Sequence, residues 1–243
     1  MGRALWVALQ FLTRLPLPKM AVIEDHERGY SLLWYPFVGL LIGGLLVFFA
    51  WILMGVSSLP SAALLLAAWV AITGALHLDG LADSADAWMG GLGSRERSLA
   101  IMQDPHCGTG AVVVLVLVLL LKFAALENIL AAGEFTLLWT APVLGRLAVP
   151  LLFLTTPYVR PGGLGEALAK HLPRRTAWVV VVITAAVVAG QSEVGILVVV
   201  VAALTFFLLR AMMLRRIQGT TGDTAGAMVE LVEMAVLVVV AIT

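Results

Sequence analysis

Seven long apolar stretches dominate the chain, at about 32–55, 61–77, 110–130, 136–156, 177–190, 194–209 and 228–243. Each approaches the ~20 residues that cross about 30 Å of hydrocarbon, the last three being the shortest. Lipid offers backbone groups no hydrogen-bond partners, so runs of this length mean helices rather than barrel strands. The fold class that follows is all-α: a polytopic transmembrane bundle of about seven spans. No internal repeat and no linker divides it, so residues 1–243 read as one domain. Ahead of the first span, Met1 to Pro18 resembles a signal peptide only superficially, with Arg3 before a short run broken by Gln10. It ends at Arg14-Leu15-Pro16-Leu17-Pro18 with no small-residue cleavage site, so it is expected to stay as an interfacial or re-entrant helix. Trp6, Phe11 and Leu12 form its apolar part.

Composition agrees with a lipid solvent. Hydrophobic residues make up 61% of the chain and charged residues 12%, against roughly a quarter charged in soluble domains. Fifteen basic and fifteen acidic residues cancel, and nothing calls for a nucleic-acid partner. Placement says more than balance. Segments 1–31, 78–109, 157–176 and 210–227 hold thirteen of the fifteen Lys and Arg residues, whereas the connections near 56–60, 131–135 and 191–193 hold none. By the positive-inside rule the basic segments are cytoplasmic, with the N-terminus inside and the C-terminus outside. A single cysteine, Cys107, excludes an internal disulfide and a cysteine metal cluster.

Two bases fall within spans. Lys122 is expected to snorkel toward the outer interface. Arg146, mid-span between Pro142 and Pro150, is expensive there unless paired, and is expected to serve the substrate.

The segment richest in chemistry runs from His77 to Ala87 at the inner end of the second span. On a helix Asp83 lies about 40° around from Asp79, and Asp86 about 20° the other way, so three carboxylates share one stripe over roughly 10 Å. Like charges so placed repel unless a cation joins them. Oxygen ligands favour a hard ion, Mg²⁺ or Mn²⁺, although a solvated acidic helix end is the plainer alternative. Small Gly80, Ala82, Ser84 and Ala85 allow close approach. Asp104, in Gln103-Asp104-Pro105-His106, either completes the metal shell or forms the turn before Pro105. His77 and His106 stay outside that shell, as packed or interfacial histidines.

Two further segments follow. Tyr158-Val159-Arg160-Pro161-Gly162-Gly163 presents an arginine whose planar fork fits phosphate oxygens; Lys170, Arg174 and Arg175 read as membrane anchors. Gly219 to Ala227 contains Asp223, a helix cap or a ligand, and leads to Glu230 and Glu233 in the first turns of the last span. Together these imply a phosphate-rich substrate, with a carboxylate-bound divalent ion on a pyrophosphate and arginines over the remaining charge. An acceptor hydroxyl would attack one phosphorus and expel a nucleoside monophosphate.

His77 to Asp86, Ile101-Met102-Gln103-Asp104-Pro105, Tyr158 to Gly163, Thr221-Gly222-Asp223-Thr224-Ala225-Gly226-Ala227 and Arg14 to Pro18 resemble the cobalamin-5′-phosphate synthases, also called adenosylcobinamide-GDP ribazoletransferases. The resemblance covers nearly the whole chain in matching order; Gln218-Gly219 departs from it, standing where a Gly-Gly pair is expected. It implies a Mg²⁺-dependent membrane enzyme that joins adenosylcobinamide-GDP to α-ribazole or α-ribazole 5′-phosphate and releases GMP. In a bacterium this would be the inner membrane, with the active site toward the cytoplasm. Asp79, Asp83 and Asp86 would be catalytic and, with Asp104, metal ligands. Arg14, Arg146, Arg160, Asp223 and Glu230 would bind substrate. Homo-oligomerisation stays open. The acidic stretch also distantly resembles CDP-alcohol phosphotransferases, but no arginine follows until Arg95. A secondary transporter using Lys122, Arg146, Glu230 and Glu233 would show repeated halves and broken spans, neither of which is evident.

The charge asymmetry predicts sidedness directly. In a chain with Cys107 replaced, a cysteine at Ser57 should react only with reagent outside intact cells, and one at Ser94 only with reagent inside. Labelling of both from one side would overturn the arrangement.

Overall fold

Every apolar run becomes helix, as a medium without water requires. In the computed structural model, which describes residues 2–18, 20 and 22–243, the helices are α1 (Gly2–Leu12), α2 (Asp25–Ser31), α3 (Tyr35–Ile52), α4 (Ser58–Thr73), α5 (Leu76–Gly90) and α6 (Arg95–Ile101). They continue with α7 (Thr109–Ala132), α8 (Thr140–Thr155), α9 (Leu164–His171), α10 (Arg174–Gly190), α11 (Gly195–Ile217) and α12 (Gly222–Ile242). Met1, Lys19 and Ala21, which fall in the first of the basic segments, lie outside the described residues. Among the described residues, a lone bridge between Tyr158 and Thr220 is the one strand-like contact.

Five stretches are long and apolar enough to cross a membrane: Asp25–Ile52, Thr109–Ala132, Phe135–Thr155, Gly195–Ile217 and Gly222–Ile242. Counting each of two bent pairs as one span raises the number to seven. The chain is a polytopic helical bundle, as the hydrophobic pattern indicates, but the expected 61–77 span is broken near its end, and a second bend falls just ahead of the expected 177–190 span. Helices α4 and α5 meet at 90°, and α9 and α10 at 97°. At the first break Gly74 and Ala75 both take left-handed backbone, φ +62° and +57°. Glycine accepts that state freely and commonly ends a helix with it, whereas alanine is strained there. At the second, Pro173 holds Leu172 extended and occupies the N-cap position of α10.

The N-terminal helix α1 packs on α2 and α3 with Ala4, Val7, Ala8 and Leu12 buried. Trp6 Nε1 donates to the Pro18 carbonyl at 2.9 Å. Phe11 lies nearer the surface, its ring stacked over Tyr35 of α3.

The centre of the bundle holds four charges. Lys122 Nζ on α7 donates to Glu230 Oε2 at 2.5 Å and Glu233 Oε2 at 2.7 Å on α12. Arg146 on α8 pairs with the other oxygen of Glu233. Trp69 of α4 covers the ammonium, 4.7 Å from ring centroid to Nζ. All four ionic side chains are buried. Lys122 therefore does not snorkel, since an internal pair of carboxylates offers it more than a distant interface does. Nor are Arg146 and Glu230 open to a substrate, as expected of them; their partners are each other's neighbours. Two cations and two anions leave the cluster neutral, the condition under which buried charges are tolerated.

Removing one member should expose that dependence. Glu233→Leu leaves two cations sharing one carboxylate and should cost about 3–5 kcal/mol, read as a lower thermal midpoint in detergent. Adding Arg146→Met should recover part of the loss. A double variant less stable than Glu233→Leu alone would contradict the pairing.

Candidate active site

The acidic motif is helical, as its spacing indicates, and forms α5. Its position is set by glycine. A Cβ on Gly80 would stand 2.6 Å from the Asp223 carbonyl oxygen, and one on Gly226 3.2 Å from that of His77. Without those side chains α5 and α12 touch backbone to backbone, which brings Asp79 beside the first turn of α12. Asp83, half-buried one turn on, lies in the field of Asp223, Asp79, Arg160 and Asp86. Two helices thus bring together carboxylates that are far apart in sequence.

The start of α12 is tightly specified. Thr221 is its N-cap, accepting from the Thr224 amide at 3.2 Å, while Thr224 Oγ1 accepts from the Thr221 amide at 2.9 Å. This reciprocal capping satisfies amides that the helix ladder leaves free. Asp223 in the first turn adds a negative charge where the helix dipole favours one. Arg160 Nη1 donates to Asp223 Oδ2 at 2.8 Å. The arginine is delivered by two ladder-like bonds between loops, Val159 N to Thr220 O at 3.0 Å and Thr220 N to Pro157 O at 2.9 Å. Gln218, just upstream, has φ +60°. That left-handed state is the one glycine adopts without penalty, which gives a physical reason for the glycine expected there.

These residues border a cavity of about 540 Å³. Asp79, Asp223 and Arg160 form its polar side, with Gln103 at the edge. Leu12, Tyr35, Val149 and Phe153 contribute apolar wall, and His77 reaches it from α5. On the other side of Arg160 lies a more open hollow of about 450 Å³, bordered by Glu166 and Lys170. Tyr158 belongs to both. Its ring stacks on Phe153 at 6.0 Å, and burial pushes its phenol above the ordinary value.

Of the expected site residues, Asp79, Asp223 and Arg160 border this cavity, and Asp83 lies within their field. The others do not border it. Asp86 accepts from the Gly108 amide at 2.6 Å and the Ala111 amide at 2.8 Å, capping the start of α7 from a neighbouring helix. Asp104 lies in an exposed turn, accepting from the His106 amide at 3.0 Å; the His106 contacts hold its carboxyl below the usual range. It forms the turn before Pro105, the second of its two readings. Arg14 packs across Gly74 at the α4–α5 break and does not border the cavity. Among the described residues, no three His, Cys, Asp or Glu side chains already stand in a metal-binding arrangement. The group that suits a hard cation in charge and ligand type is Asp79, Asp83 and Asp223, oxygen donors within one another's field.

Sequence reasoning set His77 aside and passed over Phe11, Tyr35 and Phe153, which look like ordinary core or interfacial residues. It also read several arginines too simply. Arg174 donates to Leu154 O at 2.6 Å and Arg210 to Thr155 O at 2.6 Å, closing the end of α8. Arg216 donates to Trp88 O at 2.7 Å near the end of α5, and Arg95 to Ile217 O at 3.0 Å at the end of α11. Cations at helix C-termini satisfy free carbonyls and the dipole together. The bias toward this face was visible; the pairings were not.

No solved structure matches the chain. A family model described as cobalamin-5-phosphate synthase matches residues 4–241. A protein of Pseudomonas aeruginosa named adenosylcobinamide-GDP ribazoletransferase is 56% identical over 240 residues, 99% of this chain and 98% of the relative. Relatives of the same name from Pseudomonas paraeruginosa and Stutzerimonas stutzeri are 57% identical over 240 residues and 56% over 234. They cover 99% and 96% of this chain, and 98% and 96% of their own lengths. With matches of that extent, the chain belongs to the cobalamin-5-phosphate synthase family, transferases of cobalamin biosynthesis.

Proposed function

We propose that the chain transfers α-ribazole, or its 5′-phosphate, to adenosylcobinamide-GDP with Mg²⁺, at the cytoplasmic face of the bacterial inner membrane. The observation that carries this reading is the meeting of Asp79 of α5, Asp223 and Arg160 at one cavity, in a chain whose close relatives are named for that transfer. Asp79, Asp83 and Asp223 are the residues that would hold Mg²⁺, or Mn²⁺ in its place; the ion would supply Lewis-acid neutralisation of pyrophosphate charge. Arg160 has five N–H donors. Nη1 rests on Asp223, and the rest of the fork is available to phosphate oxygens.

The bond changes follow from the products. A ribose hydroxyl of the acceptor attacks the phosphorus that carries the cobinamide. Its new P–O bond replaces the one to the bridging oxygen, which leaves as part of GMP. The hydroxyl proton passes to a carboxylate of α5. The protein's part is to hold both reactants and shield their charge, effects largest in a partly water-excluded site.

The test is steady-state GMP release by purified protein in liposomes. Arg160→Lys keeps the charge but loses the planar fork, and should lower kcat/KM roughly ten- to a hundredfold, the equivalent of about 1.5–3 kcal/mol. Asp83→Asn should fall at least as far, and Arg175→Ala, on the exposed start of α10, should match wild type. Wild-type kinetics in both Arg160→Lys and Asp83→Asn would overturn the assignment.

A further inference from the structure

The cavity is two-sided, and the two sides ask for different chemistry. Its charged side suits phosphate. Its lining also includes two near-parallel aromatic pairs: Phe11 on Tyr35, with centroids 6.4 Å apart at 25°, and Phe153 on Tyr158, at 6.0 Å and 16°. Leu12 and Val149 add aliphatic wall. His77 also borders the cavity; it is 5% exposed, and its Nδ1 is buried with no hydrogen-bond partner among the described residues.

The occupant that answers this description is a flat, largely apolar ring system. Guanine fits poorly, because its polar edge would face aliphatic carbon and lose several hydrogen bonds. A corrin ring with its amide side chains is too large for about 540 Å³. A benzimidazole bearing two ring methyls fits: its methyl groups match the aliphatic wall and its faces match the aromatic pairs. We propose that this cavity is the acceptor subsite, with the base of α-ribazole against the aromatic pairs and its ribose toward Asp79 and Asp223. The larger donor is then left to the open side of Arg160. This assignment rests on the ribazole-transfer reading and adds which reactant enters the bundle.

Two measurements test it. In steady-state GMP release with each substrate varied in turn, Phe11→Ala should raise the KM for α-ribazole about tenfold, equivalent to about 1.4 kcal/mol. Its KM for adenosylcobinamide-GDP should stay within roughly twofold, a shift of only a few tenths of a kcal/mol. His77→Ala, which removes another side chain bordering the cavity, should act likewise. A rise in the KM for adenosylcobinamide-GDP with that for α-ribazole unchanged would place the donor here and overturn the proposal. The second measurement is equilibrium dialysis of α-ribazole, with GMP as the comparison probe and no donor present. Saturable α-ribazole binding that weakens in Phe11→Ala supports the subsite even if wild type releases no GMP, an outcome that would sink only the transfer reading. Absent binding, or binding untouched by both Phe11→Ala and His77→Ala, overturns the subsite. Phe11 is 40% exposed on a surface helix, so its truncation leaves the bundle intact.

Discussion

A lysine and an arginine cannot remain charged inside a lipid-embedded bundle without anions, and Glu230 and Glu233 supply them. The rest of the molecule follows from that pairing. It ties α12 to α7 and α8 at mid-depth, and Trp69 brings α4 into the same contact. With α12 fixed there, its first turn is fixed as well, and with it the Thr221 cap and Asp223. Gly80 and Gly226 then let α5 close on that turn. The carboxylates of the acidic motif meet Asp223 because a charge cluster deeper in the bundle holds α12 in place.

The membrane context explains why the site is assembled this way. A stripe of carboxylates cannot sit in a continuous apolar helix, so the chain breaks its second span at Gly74 and Ala75 and begins a new helix with a polar stripe. Arginines at the same face close the ends of α5, α8 and α11 by donating to their last carbonyls. Two loops carrying no regular structure are stitched by the Tyr158–Thr220 bridge, and Arg160 gains a defined position from that contact. Rigid helices present the carboxylates, and a pinned loop presents the cation.

Much of this was legible in the chain. Long apolar runs marked the helices able to cross a membrane, seven when each bent pair counts as one span, and the spacing of Asp79, Asp83 and Asp86 gave a helical stripe. What local pattern could not reveal was partnership. Lys122 and Glu230 are 108 residues apart, so nothing near Lys122 announces that it has an internal anion. Asp86 looks equivalent to Asp83 on the helix, yet the start of α7 takes both its oxygens. The α4–α5 break is hidden because hydropathy runs smoothly through Gly74 and Ala75, and backbone handedness leaves no hydrophobic signature. The aromatic wall escaped for a similar reason. Phe11, Tyr35 and Phe153 carry no mark of a site until three separate elements bring them to one cavity.

The central claim is that α5 and α12 together hold the reacting phosphate and its counter-ion. It is tested most directly by locating the ion, through anomalous scattering from Mn²⁺ in crystals grown with a non-hydrolysable adenosylcobinamide-GDP analogue. The account predicts one Mn²⁺ peak ligated by Asp79 or Asp83 and facing Asp223, with analogue phosphate oxygens in its shell. A peak ligated by Asp104 or by the Glu230–Glu233 pair, with the α5 carboxylates free, would contradict it.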